Sequence, residues 1–303
     1  MDIKINRFFL FLLITICITV QTAFSEDTQA TEPPVLSFLE AGSEPIITDT
    51  TYVSDNVIIT ITSERRESSD VYIADIRLKD VSSFRRVFCT GDWKRSGTQK
   101  KVAVMAEETN AILAMTGDNS YNFDAGIVIG NGKVYRTSSN KKRDLCVLYL
   151  NGEMKTFIAG TVDPKELAQQ VSQDAEDGLV WQTFLFGPAL LDAEGHAMSS
   201  FNTNVGVANP RSVIGYYEPG HYVFIQVDGR GTKSVLESGR TSRGLKMTQL
   251  SQLAEELGLK CAYNLDGGQS SMLWFNGRLV STPYKNGRRV ADIVAICSGL
   301  SEE

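Results

Sequence analysis

Cys261-Ala262-Tyr263-Asn264-Leu265-Asp266-Gly267-Gly268-Gln269-Ser270-Ser271-Met272-Leu273-Trp274-Phe275 sets a knot of polar groups between two apolar segments. The first segment reads as a buried strand that stops at residues 264–266, and the second as another strand. Between them, Gly267 and Gly268 can take a left-handed conformation or let a ligand approach the backbone closely. Successive N–H groups in such a turn can form an anion-binding concavity. Asp266 supplies a carboxylate at its lip, Asn264 an amide, and Ser270 and Ser271 hydroxyls. Asp-Gly and Gly-Gly are also ordinary hairpin dipeptides, and on these dipeptides alone the plain turn is the favoured reading.

The same ending recurs. The unbroken apolar run Ala111-Ile112-Leu113-Ala114-Met115 suits a central strand and stops at Thr116-Gly117-Asp118. His221-Tyr222-Val223-Phe224-Ile225 continues to Val227 and stops at Asp228-Gly229-Arg230. Three strands thus end in a carboxylate beside glycine, and Arg211 and Arg230 stand in comparable positions. The planar guanidinium fork matches phosphate or carboxylate oxygens. Aspartate serves as nucleophile, general base or cation ligand. If these strand ends converge, they form a site for a charged polar ligand.

The rest of the chain sets the fold class. Residues 57–61 and 71–76 alternate as strands, with a polar turn over 63–70. Asn131-Gly132, Asn151-Gly152 and Asn276-Gly277 are hairpin signals. Val102, Met105 and Ala106 share a helical face, with Thr98 as the candidate cap. Asp163-Pro164-Lys165-Glu166 opens a helix running to about Ala175. Leu250, Leu253, Ala254 and Leu257 form the buried stripe of another over about 248–257, and Gly258 suits its end. Residues 231–244 read as a mobile loop. Many strands with interspersed helices and no regular βαβ alternation predict an α+β fold, a mixed β-sheet core with flanking helices in a single domain.

Composition narrows the function classes. The 303 residues are 42% hydrophobic and 22% charged, as in a globular chain large enough to bury a full core. Net charge is −6 and no long basic run occurs, which argues against nucleic acid as a partner. Residues 1–25 read as a secretory signal peptide. Lys4 and Arg7 precede an apolar segment over 8–20, and small residues at 23 and 25 suit cleavage. Proline-bearing residues 26–50 read as a linker, and 51–303 as the folded domain. The mature chain is therefore expected to be secreted or extracytoplasmic, in the cell envelope. It would meet a membrane only through an uncleaved signal segment. Cys89, Cys146, Cys261 and Cys297 show no zinc spacing and leave free thiols or disulfides open. Only His196 and His221 are available, too few for a multi-histidine metal centre.

With these residues in view, Asn264-Leu265-Asp266-Gly267-Gly268-Gln269-Ser270-Ser271 resembles the signature of the phosphodiester glycosidase family. Further segments resemble that family in the same order: residues 111–118, 126–135, Phe186-Gly187-Pro188, Asn209-Pro210-Arg211, Val227-Asp228-Gly229-Arg230, the helix over 244–258, and Gly287-Arg288-Arg289-Val290-Ala291-Asp292-Ile293. The likeness covers roughly residues 50–298. Thr116 departs from the family's usual asparagine, and Asn119-Ser120-Tyr121 from its more aromatic turn. The resemblance implies hydrolysis of a sugar-1-phosphodiester at the glycosidic C–O bond, releasing free sugar such as GlcNAc. It implies Asp266 as nucleophile or base, with Asp228 or Asp118 as its partner. Arg211, with Arg230, would hold the phosphate, and Asn264, Gly267, Gly268 and Ser270 would orient substrate oxygens. The resemblance specifies no cofactor and leaves a divalent cation, Ca²⁺ or Mg²⁺, open. Two other readings stay open: a phosphodiesterase cleaving P–O with Mg²⁺ or Ca²⁺ on the three aspartates and Asn264, and a glycan-binding envelope protein without catalysis, with Trp274, Tyr121 or Tyr284 stacking on sugars.

Overall fold

The computed structural model describes residues 36–94 and 97–298. The expected leader and the first part of the expected linker, residues 26–35, lie outside the described residues. The largest sheet has seven strands in the spatial order Ile46–Ile47, Thr51–Val53, Val57–Arg66, Ser69–Leu78, His221–Val227, Arg211–Glu218 and Cys261–Asn264. A second sheet of five runs Arg278–Leu279, Leu273–Phe275, Ala111–Thr116, Asp292–Cys297 and Phe84–Phe88. The two halves of the opening stretch therefore part company at the glycines, one strand joining each sheet.

The principal core lies between these sheets. Tyr72, Ile76, Ile214, Phe224 and Tyr263 from the larger one pack with Leu113, Met115, Leu273, Phe275 and Val294 from the smaller. Because side chains alternate across a strand, the other faces need covering as well, and helices cover them. Leu250, Leu253 and Ala254 of helix Met247–Glu256 pack on Val213, Val223, Ile225 and Ala262. Val102, Met105 and Ala106 of helix Val102–Glu108 pack on Ala114, Trp274, Ile293 and Ala295. Burial on both faces is why residues 111–115 read as continuous apolar sequence. It also makes Trp274 a core residue.

The fold is α+β with strand dominant, and each strand-to-strand ladder among the described residues is antiparallel. The expected mixed sheet is thus corrected: strand neighbours here are joined by hairpins and long returns instead of βαβ crossovers. The polar stretch 63–70 shrinks to a two-residue turn at Glu67 and Ser68, both with positive φ, because the flanking strands extend to Arg66 and Ser69. Ile46 and Ile47, inside the expected linker, pair with the strand Thr51–Val53. Asp163 caps helix Pro164–Glu176 through the N–H groups of Lys165 and Glu166. Thr98 does not cap the helix it was expected to start, which has Lys101 at its N-cap. The four cysteines among the described residues, Cys89, Cys146, Cys261 and Cys297, are free and buried. Residues 231–244 form a short hairpin instead of an open loop. Buried Asp70 fastens it, accepting from Ser234 Oγ at 2.6 Å and Val235 N at 2.8 Å.

Candidate active site

A buried ionic frame stands behind the site. Arg86, on strand Phe84–Phe88, is almost wholly buried, and its Nε donates to Asp292 Oδ2 at 2.7 Å. Its Nη1 donates to the Thr183 carbonyl, and its Nη2 to Ser120 Oγ at 2.7 Å and Asp118 Oδ2 at 3.2 Å. Asp292 in turn accepts from the backbone N–H groups of Asp118 and Asn119. Asp118 Oδ1 accepts from Leu185 N at 2.6 Å and Phe186 N at 2.7 Å. Burial drives the Asp118 carboxyl up to about 6; Arg86 pulls it down and nearby Asp292 pushes it up. Asp118 is therefore a buried fastener between the five-stranded sheet and the 184–188 turn.

That frame presents Asn119, held at φ 54°, to Asp266. Asp266 Oδ2 accepts from Ser270 Oγ at 2.7 Å, Arg288 Nη2 at 2.7 Å and Asn119 Nδ2 at 3.3 Å. Arg288 Nε also donates to Ser270 Oγ. Three donors hold one carboxylate oxygen, while Oδ1 has no hydrogen bond among the described residues. Burial raises the Asp266 carboxyl above its ordinary value, and Arg288 opposes the rise. A carboxylate anchored by one oxygen and spare at the other is suited to attack carbon or to take a proton from water.

Asp266 lines an open cleft of about 750 Å³ together with Asn264, Gly267, Gly268, Arg211 and Arg230. Arg211 is 3% exposed, and its Nη2 donates to the Val205 and Val207 carbonyls at 2.8 and 2.6 Å. Burial, and after it the neighbouring Arg230 guanidinium, together lower its pKa to about 10. Arg230 is steadied by Asn209 Oδ1 at 3.2 Å and lies 5.5 Å from the Tyr284 ring centre. Neither arginine has an ion pair among the described residues. Two like charges brought together without a counter-ion make a receptor for an anion.

The glycines act by letting groups come close. A Cβ on Gly268, at φ 65°, would sit 2.8 Å from Arg230 Nη2, and one on Gly267 would sit 2.8 Å from the Pro210 carbonyl. Of the backbone N–H groups expected to face an anion, two are occupied within the protein: Gly268 N donates to Pro210 O and Ser270 N to Gly267 O. Asn264 Nδ2 donates to Gly187 O at 2.8 Å, fixing the amide, and its Oδ1 is buried without a partner. Ser270 lies behind Asp266 and does not line the cleft. Thr116 turns its hydroxyl to the Ser270 carbonyl, so its departure from the family pattern alters the support of the turn and no wall of the cleft.

Asp118 and Asp228 are not among the residues lining the cleft. Asp228 Oδ2 accepts from Tyr72 OH at 3.2 Å and Thr282 N at 2.9 Å, and its buried Oδ1 has no partner. Among the described residues no three Asp, Glu, His or Cys side chains gather as metal ligands, so the cation site anticipated from the three aspartates and Asn264 is not assembled. Sequence reasoning passed over Arg288, Asn119, Lys142 and Arg143 as site residues. Arg288 sat in a segment already singled out, but nothing local tied it to Asp266.

Comparison with known proteins fits this arrangement. The phosphodiester glycosidase family matches residues 105–297, more than half of the chain. The chain belongs to the phosphodiester glycosidase family. It is 28% identical over 111 residues to N-acetylglucosamine-1-phosphodiester alpha-N-acetylglucosaminidase of Bos taurus. That match spans 34% of this chain and 19%, about a fifth, of the bovine enzyme. The catalytic domain of the zebrafish enzyme of that name, auto-inhibited by its pro-peptide, shares the fold with a TM-score of 0.58 at 20% identity. The likeness covers 80% of this chain and 83% of the zebrafish domain. A hypothetical protein from Synechocystis has a TM-score of 0.52 at 13% identity, covering 80% of this chain and 62% of that one.

Proposed function

We propose that the chain hydrolyses a sugar-1-phosphodiester at the glycosidic C–O bond, releasing free sugar and leaving the phosphate on its other partner. The observation that carries this reading is a carboxylate with one anchored and one spare oxygen in the same cleft as two unpaired guanidinium groups. Arg211 and Arg230 hold the phosphodiester and stabilise the charge that grows on the departing phosphate. A phosphate monoester leaves without strong help from a general acid, so one carboxylate in the cleft suffices. Asp266 Oδ1 acts at the anomeric carbon, directly or through water. The names of the animal relatives make GlcNAc the first sugar to try. In this reading the signal-like residues 1–25 support an activity outside the cytoplasmic membrane, on an exported or envelope glycan or glycolipid.

The test is hydrolysis of GlcNAc-1-phospho-methylmannoside in ¹⁸O water by residues 26–303, beside Asp266→Asn. Label in free GlcNAc, with a loss of about 10³-fold or more in kcat for the variant, is the expected result. Label in phosphate would overturn C–O cleavage and favour a phosphodiesterase. Binding without turnover would favour a glycan-binding protein.

A further inference from the structure

The cleft holds more positive charge than one phosphodiester needs. Besides Arg211 and Arg230 it is lined by Lys142 and Arg143, and its one carboxylate, Asp266, is already paired with Arg288. This surplus sits on a chain whose net charge is −6, so it is local. A phosphodiester carries one negative charge, which the two guanidinium charges of Arg211 and Arg230 already exceed.

Of the second pair of cations, Lys142 is exposed and Arg143 is held in place. The Arg143 guanidinium lies 3.7 Å from the Phe123 ring centre and donates from Nη1 to the Phe186 carbonyl at 2.8 Å. Neither Lys142 nor Arg143 has an ion pair among the described residues. The adjoining Asp144 is buried and has no ion pair with either residue among the described residues. Its carboxylate accepts from Asn202 Nδ2 at 2.6 Å, Ala159 N at 2.8 Å and Ala189 N at 2.9 Å. Those bonds fix the strand end bearing Arg143 against the 201–205 wall of the same cleft. A cleft of about 750 Å³ accommodates more than one sugar phosphate.

We propose that the substrate carries a second phosphate group beyond the scissile phosphodiester, received by Lys142 and Arg143. The substrate class is then a sugar joined through its anomeric phosphate to a further phosphate-bearing group, as in a sugar diphosphate or a sugar-phosphate polymer. This deepens the proposed function and rests on it for the position of the scissile bond.

The experiment compares kcat/KM for UDP-GlcNAc, with two phosphates, and for GlcNAc-1-phosphomethyl ester, with one. Wild type, Lys142→Glu and Arg143→Gln are measured at low and high salt, after thermal unfolding confirms each fold. Leaving-group differences cancel when the ratio of the two substrates is compared between variants. The ratio is expected to fall by about tenfold in each variant, and the fall to shrink at high salt. An unchanged ratio, or an equal loss on both substrates, overturns the proposal. Calorimetric binding of inorganic tripolyphosphate separates it from the hydrolytic reading. If wild type cleaves neither ester yet binds tripolyphosphate, with about tenfold weaker binding in Lys142→Glu, the second phosphate subsite stands and the glycosidase reading falls. Equal binding in both proteins removes the subsite.

Discussion

Asp228→Asn is expected to flatten the dependence of stability on pH. The Asp228 carboxylate is buried, takes hydrogen bonds from Tyr72 and Thr282 on one oxygen only, and leaves the other without a partner. Burial is the largest effect; the two donors only partly offset it, and the nearby Asp70 adds repulsion, so the group is pushed up to about 7. The folded state therefore holds this proton more tightly than the unfolded chain, where the ordinary value is 3.8. The resulting stabilisation is full below that ordinary value and is lost as pH rises through about 7. Between pH 5 and 8.5 the two values imply a loss of about 2–3 kcal/mol. Asparagine never ionises. Its carbonyl can keep the bonds from Tyr72 and Thr282, and its amide stands where the orphan oxygen stood, at a pH-independent cost of about 1–3 kcal/mol. Urea unfolding at both pH values measures the difference. The variant is expected to lose about 2–3 kcal/mol less than wild type on going from pH 5 to 8.5. A parallel shift at both pH values would refute the reasoning, because it would mean that the buried carboxylate carries no charge penalty.

Arg288→Gln removes the group that opposes the rise of the Asp266 carboxyl. If Asp266 works ionised, the acid limb of kcat/KM moves to higher pH, which a pH–rate profile reads directly. Gly268→Ala forces a side chain to φ 65° and into the Arg230 guanidinium. About 1 kcal/mol of stability should be lost, and KM should rise more than kcat falls, as steady-state kinetics would show. Arg86→Met strands two buried carboxylates, Asp118 and Asp292. Denaturant unfolding at pH 8 should show a loss of about 3–5 kcal/mol, with recovery as both acids protonate at lower pH.

Local chemistry was legible in the residues alone. Asn131-Gly132 and Asn276-Gly277 are tight turns with both residues left-handed, as their types require. Gly258 ends its helix at φ 72°. The opening stretch announced a strand, a break and a strand, and Asn264, Asp266, Gly267, Gly268, Arg211 and Arg230 do share one cleft. What the sequence could not rank were its three aspartates, since each ends a strand beside glycine. Their partners come from far away. Asp118 meets Arg86, Asp228 meets Tyr72 across 156 positions, and Asp266 meets Arg288 across 22. Arg86 and Asp292, which frame the site, are 206 residues apart. Turn and cap preferences act within a few residues and are written in the chain. Whether a carboxylate is fastened, buried or left with a spare oxygen depends on which strands pair and in what register, so only the tertiary structure put Asp266 in the cleft and left Asp118 and Asp228 out of its lining.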